Sequence, residues 1–134
     1  MVESAIYAVN SSDQAVEAGA SQVISFGSPV RKFGKSLAVS GGNVAIESSG
    51  YYKVIANVGF TVGAGNVTVT VYCDGVAVPG ATASTTVSAA TNLNTLVIPC
   101  MVRNKCCCES TVTVVITSAG AGNVTNAAIE VTKI

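Results

Sequence analysis

Residues 51–62 read Tyr51-Tyr52-Lys53-Val54-Ile55-Ala56-Asn57-Val58-Gly59-Phe60-Thr61-Val62. Successive side chains point to opposite faces of a β-strand, so positions of equal parity share a face. The even positions, Tyr52, Val54, Ala56, Val58, Phe60 and Val62, form an unbroken apolar row suited to a core. The odd face is mixed, but it still carries Tyr51 and Ile55. An apolar residue at every second position fits a strand and not a helix. The stretch is therefore expected to be one long strand with one dry face and a second face that is not wholly wet.

The neighbouring segments extend the pattern. Residues 66–73 place Val67, Val69, Val71 and Cys73 on one face and Thr68, Thr70 and Tyr72 on the other. Residues 111–117 send Val112, Val114 and Ile116 inward and Thr111, Thr113 and Thr117 outward. Residues 93–102 are apolar on both sides, with Leu96, Ile98, Cys100 and Val102 set against Val97, Pro99 and Met101. Asp74-Gly75 is a strong hairpin signal because both residues tolerate positive φ. Shorter strands are expected at 6–10, 22–26, 44–46, 76–78 and 127–134, with irregular Ser/Thr-rich chain from Pro79-Gly80 to Thr91. Gly-Asn-Val occurs at residues 42–44, 65–67 and 122–124, each time introducing a strand. About eight to ten strands with closely spaced turns predict an all-β sandwich or barrel. A single domain spanning residues 1–134 is expected, since no linker interrupts the pattern.

Composition agrees with the strands. The chain has 23 Val, 8 Ile and 13 Thr against 3 Leu, and β-branched residues favour a pleated surface. Only 10% of residues are charged, and seven basic side chains balance seven acidic ones. A neutral chain lacks the electrostatic footprint of a nucleic-acid partner. No apolar run is long enough for a membrane helix, so no membrane insertion is expected. Residues 1–10 have no basic segment ahead of an apolar one, so no secretory signal is read there. Half of the residues are hydrophobic, yet no helix is available to cover the second face of the two-sided strands. The economical cover is another copy of the chain.

Candidate sites are few. The chain has no His, which removes the usual general base and the commonest metal ligand. No catalytic constellation, cofactor site or metal site is expected, and the protein reads as a non-enzyme. Arg31, Lys32 and Lys35 form the one charge cluster, either a solvated loop or a contact for an acidic partner. Five cysteines include the run Cys106-Cys107-Cys108. Zinc sites prefer cysteines spaced by two to four residues, and adjacent cysteines on extended chain point apart. Three readings stay open: free apolar thiols, a disulfide joining Cys106, Cys107 or Cys108 to Cys100 or to another protomer, and a metal site. Cys73 and Cys100 fall in core-facing rows and are expected to be free and buried.

The order of segments then resembles a known superfamily. Gly50-Tyr51-Tyr52-Lys53-Val54 opens the long strand, and residues 69–80, VTVYCDGVAVPG, form a hairpin. Asn94-Thr95-Leu96-Val97-Ile98 and a final strand ending at Ile134 follow. This arrangement resembles the jelly rolls of the tumour-necrosis-factor and complement globular-head superfamily. It resembles especially the bacterial and bacteriophage branch of head fibres, decoration proteins and spore-surface tips. The resemblance implies a two-sheet antiparallel jelly-roll sandwich whose inner sheet lines the axis of a homotrimer. Residues 51–62, 93–102 and 127–134 match inner-sheet positions, which puts Tyr51, Ile55, Val97 and Met101 at the expected trimer interface. The expected function is a virion-surface knob, a head fibre or capsid decoration made in the bacterial host cytoplasm. Its expected partners are itself, capsid or tail proteins, and a host-surface glycan or protein. The alternative is a glycan- or protein-binding module on a bacterial cell or spore surface. The chain departs from the animal members at its end, where Ala128-Ile129-Glu130-Val131-Thr132-Lys133-Ile134 replaces a Phe-Ser-Gly-like segment. Acidic residues are scattered singly, which argues against calcium.

Overall fold

A computed structural model describes residues 3–89, 91–105 and 109–134. The strands in chain order are β1 (Ala5–Asn10), β2 (Gln14–Val16), β3 (Ser21–Val23), β4 (Pro29–Phe33), β5 (Leu37–Ser40), β6 (Asn43–Ile46), β7 (Gly50–Val62), β8 (Gly65–Cys73), β9 (Val76–Val87), β10 (Asn94–Asn104), β11 (Ser110–Ser118) and β12 (Gly122–Lys133). They form two antiparallel six-stranded sheets. The first runs β10-β7-β12-β1-β4, with β2 also paired to β12. The second runs β5-β6-β11-β8-β9, with β3 also paired to β11. The three segments matched to inner-sheet positions, now β7, β10 and β12, are neighbours in the first sheet.

The sheets close on each other through the rows read from the sequence. Tyr52, Val54, Ala56, Val58, Phe60 and Val62 of β7 are all buried, as are Val67, Val69 and Val71 of β8 and Val112, Val114 and Ile116 of β11. Ile98 and Val102 of β10 and Ile129 and Val131 of β12 complete this core. Tyr52 is the one core side chain there with a hydroxyl, and it is satisfied: its OH donates to the Ser48 carbonyl at 2.9 Å. Ser48 Oγ donates to Ser36 Oγ at 2.6 Å, and Asn104 Nδ2 donates to the Ser48 carbonyl at 2.9 Å. Ser110 Oγ donates to Asn104 Oδ1 at 2.7 Å. This polar clasp ties both sheets together beside the start of β7, with buried groups paired as burial requires.

Three expectations are corrected. The described residues form twelve strands, not eight to ten, because three- and four-residue strands such as β2, β3 and β5 are too short to show a period. The chain after Pro79-Gly80 is not irregular; β9 continues to Val87, paired with β8. A register shift opposite Val71 absorbs the Pro-Gly pair, which is where proline is tolerated on an edge strand. Arg31 and Lys32 sit on strand β4 and not in a loop. The Asp74-Gly75 turn forms as expected, with φ of 53° and 80° and Cys73 paired directly to Val76.

Each Gly-Asn-Val triplet also lies where a strand begins, at β6, β8 and β12. At Gly122 the backbone of β12 runs so close to β7 that a Cβ would strike the Thr61 carbonyl oxygen and come within 2.6 Å of Val62 Cα. Gly122→Ala is therefore expected to lower stability by about 1–3 kcal/mol, as overpacking does. A urea titration checks this, through a lower midpoint at unchanged slope.

Candidate interaction face

One side of the first sheet is core, and the other is covered by nothing among the described residues. The strand registers lay out its residues as rows. One row is Met101, Lys53, Thr132, Ala5 and Phe33, running from β10 to β4. The next is Pro99, Ile55, Glu130, Tyr7 and Arg31. A third is Val97, Asn57, Ala128 and Val9, and Arg103 lies opposite Tyr51. The four residues selected from the sequence, Tyr51, Ile55, Val97 and Met101, thus share this face. Met101 is 56% exposed, Val97 53% and Tyr51 51%, while Ile55 is half-buried.

The face concentrates exposed apolar surface. Of ten large hydrophobic side chains exposed among the described residues, six belong to it: Tyr7, Phe33, Tyr51, Val97, Met101 and Ile134. Single exposed hydrophobics are normal, whereas several gathered on one face make it a candidate for interaction. Its relief is suited to interdigitation. Shallow recesses of about 160, 240 and 140 Å³ surround Glu130, walled by Tyr7 and Phe33, by Lys53 and Ile134, and by Ile55 and Ala128. Charges are spaced apart on this surface, and the Arg103 guanidinium sits 5.5 Å from the centre of the Tyr51 ring.

Tyr7, Phe33 and Glu130 were not selected from the sequence. The odd row of β1, Ala5, Tyr7 and Val9, carries the same signal as the odd row of β7. Applied to residues 6–10, face counting would have found Tyr7. Phe33 gives no such signal, because only the pairing of β4 with β1 brings it there.

The basic cluster is exposed throughout, but the strand divides it. Arg31 lies in register with Tyr7 on the apolar face, Lys32 alternates to the other side opposite Ile6, and Lys35 follows in the turn. Cys106, Cys107 and Cys108 lie outside the described residues. Cys73 and Cys100 are free and half-buried. Burial pushes the Cys73 thiol up, the Asp74 carboxylate adds to this, and a Ser110 hydrogen bond works against it. Burial likewise raises Cys100, with Cys73 contributing. Among the described residues no three His, Cys, Asp or Glu side chains gather as a metal ion would need.

Comparison with solved structures now fits the geometry. Murine APRIL at pH 5.0 superposes with a TM-score of 0.78 at 15% identity, over 98% of this chain and 99% of that one. The same protein at pH 8.5 gives 0.72 at 17%, over 98% and 99%. PRD1 vertex protein P5 gives 0.69 at 16%, over 100% and 99%. The fold is the TNF-like jelly roll. No protein-family model and no curated protein matches the sequence. The jelly roll is thus visible in strand order and face, at 15–17% sequence identity to these structures.

The thiols give a pH test. A raised thiol pKa means the fold favours the neutral form, so its contribution to stability is intact below the ordinary value of 9.0. That contribution is lost as pH climbs through the higher folded value. Urea midpoints measured from pH 7 upward are expected to fall beyond about pH 9, and to fall less steeply in a Cys73→Ala, Cys100→Ala variant.

Proposed function

We propose that the chain is a non-enzymatic structural protein of a virion surface, a homotrimeric bacteriophage knob of the head-fibre or capsid-decoration kind. The observation that carries this reading is the uncovered apolar face of the first sheet. Likeness of fold to a vertex protein of PRD1 supports the virion setting. Five strands spaced by about 4.8 Å, running from five to thirteen residues, give a flat area on the order of 600 Å². A stable interface takes roughly 800 Å² of accessible surface from each partner, which a relieved face of this extent and one flank of a neighbour can provide. Apolar burial at roughly 25 cal/mol per Å² drives assembly, offset by the entropy of association. Three copies related by rotation close such a head-to-tail contact without leaving a free patch.

Charges on the face have roles in this arrangement. Glu130, ringed by Ile55, Tyr7 and Ala128, loses water when the face is covered, and a carboxylate so placed demands a cation. Arg31, Lys53 and Arg103 lie on the same face to supply it. Lys32 and Lys35 point elsewhere and are left for an acidic surface of the particle, whether a capsid or a tail protein. Contact with a host-surface glycan or protein is left to surfaces away from this face.

Light scattering coupled to size exclusion is expected to give about three times 13.4 kDa. Ile55→Glu should yield monomer, and Thr70→Glu, on the second sheet, should leave the trimer intact. Monomeric wild type, or a trimer indifferent to both changes, would overturn the reading. For the particle contact, Lys32→Gln with Lys35→Gln should keep the trimer but weaken attachment to purified particles several-fold at low salt, and little at high salt.

A further inference from the structure

The shortest strands, β2 and β3, belong to different sheets and flank a cavity of about 230 Å³. Its walls include Gln14, Val16, Gln22, Val23, Ile116 and Val124, and no residue lining it is titratable. The two glutamines differ in a telling way. Gln14 takes the place of a strand partner for Ser25, with its Nε2 donating to the Ser25 carbonyl at 3.0 Å and its Oε1 accepting from Ser25 N–H at 2.8 Å. Asn10 Nδ2 donates to the same carbonyl at 2.8 Å, which fixes this wall. Gln22 Oε1 is buried and has no hydrogen-bond partner. A buried acceptor left unpaired costs stability that an apolar residue of the same size would not cost. Keeping an amide at this place is thus a local loss, and such losses gather at functional sites.

The position of the cavity is equally informative. Gly122 pairs with both Val16 and Val62 at this end of the first sheet. Ala5 pairs with Thr132, and Ile134 N–H reaches the Tyr51 carbonyl, at the opposite end. The cavity therefore opens far from Ala5 and Ile134 and away from the patch around Glu130.

We propose that this cavity binds one sugar unit of a neutral glycan. The absence of titratable walls selects an uncharged ligand. Gln22 Oε1 calls for a hydroxyl donor, and a turn about the soft terminal torsion of the side chain aims the oxygen into the cavity. Aliphatic Val16, Ile116 and Val124 suit the C–H face of a sugar ring, and Val23, 53% exposed, forms the rim. The volume is smaller than the roughly 300–1,000 Å³ of sites for drug-sized ligands, which fits a single ring and not an oligosaccharide. This inference does not depend on the trimer.

The test is an NMR titration of the full chain with methyl glycosides of glucose, galactose and mannose, with glycerol and N-acetylneuraminic acid as comparators. At least one neutral glycoside is expected to give saturable, millimolar shifts at the Gln22 side-chain amide and at Val23 and Val124. Gln22→Leu and Gln22→Met should each weaken it by about tenfold, the loss of one good hydrogen bond. Both variants should keep the wild-type elution volume, and their urea midpoints should rise because the unpaired oxygen is gone. Absence of saturable shifts for all three neutral glycosides would overturn the proposal. So would equal binding by the variants, or glycerol or the acidic sugar producing the same shifts as a neutral glycoside.

Discussion

The side chains of Tyr52, Val54, Ala56, Val58, Phe60 and Val62 leave water on one side of a single strand, and the molecule is arranged to let them do so. β10 and β12 flank β7 along most of its length, and β8 and β11 supply the opposing layer of valines. Pleating then leaves no freedom in the odd row. Once the even row is dry, Tyr51, Lys53, Ile55 and Asn57 must face the other way. The uncovered face is thus a by-product of core formation, fixed in register by the same hydrogen bonds. A slip of one residue would exchange the two rows and place Lys53 and Asn57 in the core, so the register is strongly specified.

How much of this could be read in the sequence depended on strand length and on where the partner strand lay. β7, β8, β10 and β11 each run nine residues or more, enough for parity to declare both faces. β2, β3 and β5 offer three or four residues, and their existence depends on partners such as residues 122–124, more than a hundred positions from β2. β9 was hidden for another reason. Its Pro79-Gly80 reads as a terminator, yet on an edge strand the register shift opposite Val71 accommodates it. At the site, Tyr51, Ile55, Val97 and Met101 were accessible because they alternate with core residues on long strands. Phe33 and Glu130 were not, since nothing local marks a residue whose neighbours arrive from the far end of the chain. The glutamine cavity was invisible for the same reason: Gln14 and Gln22 look like ordinary polar positions until two sheets bring them together.

The scarcity of charge has a spatial order. β8, β9 and β11 contain no Asp, Glu, Lys or Arg, and their outer face relies on hydroxyls that pair across strands. Thr68 meets Ser84 at 3.0 Å, Thr70 meets Thr82 at 3.2 Å, and Ser21 meets Thr117 at 2.8 Å. A polar but uncharged surface of this kind is hydrated without a field of its own. The first sheet instead holds Lys53, Arg31, Arg103 and Glu130 among its apolar residues, where charge can set the orientation of a partner. One sheet thus mixes charge with exposed apolar residues, and the other presents hydroxyls to water.

The pairing of β1 with β12 joins residues 5–10 to residues 127–132, and this has a consequence for biosynthesis. β4, at residues 29–33, is available early to one edge of β1, but a ribosome has to pass residue 127 before the other edge can meet β12. Until then β1 carries Ile6, Tyr7 and Ala8 as an unpaired edge, the kind of segment that invites promiscuous pairing. Closure across such a sequence distance is also slow relative to local hairpin formation. Closure of the first sheet is therefore expected only once residues 127–132 are available, and until then the β12-facing edge of β1 needs protection.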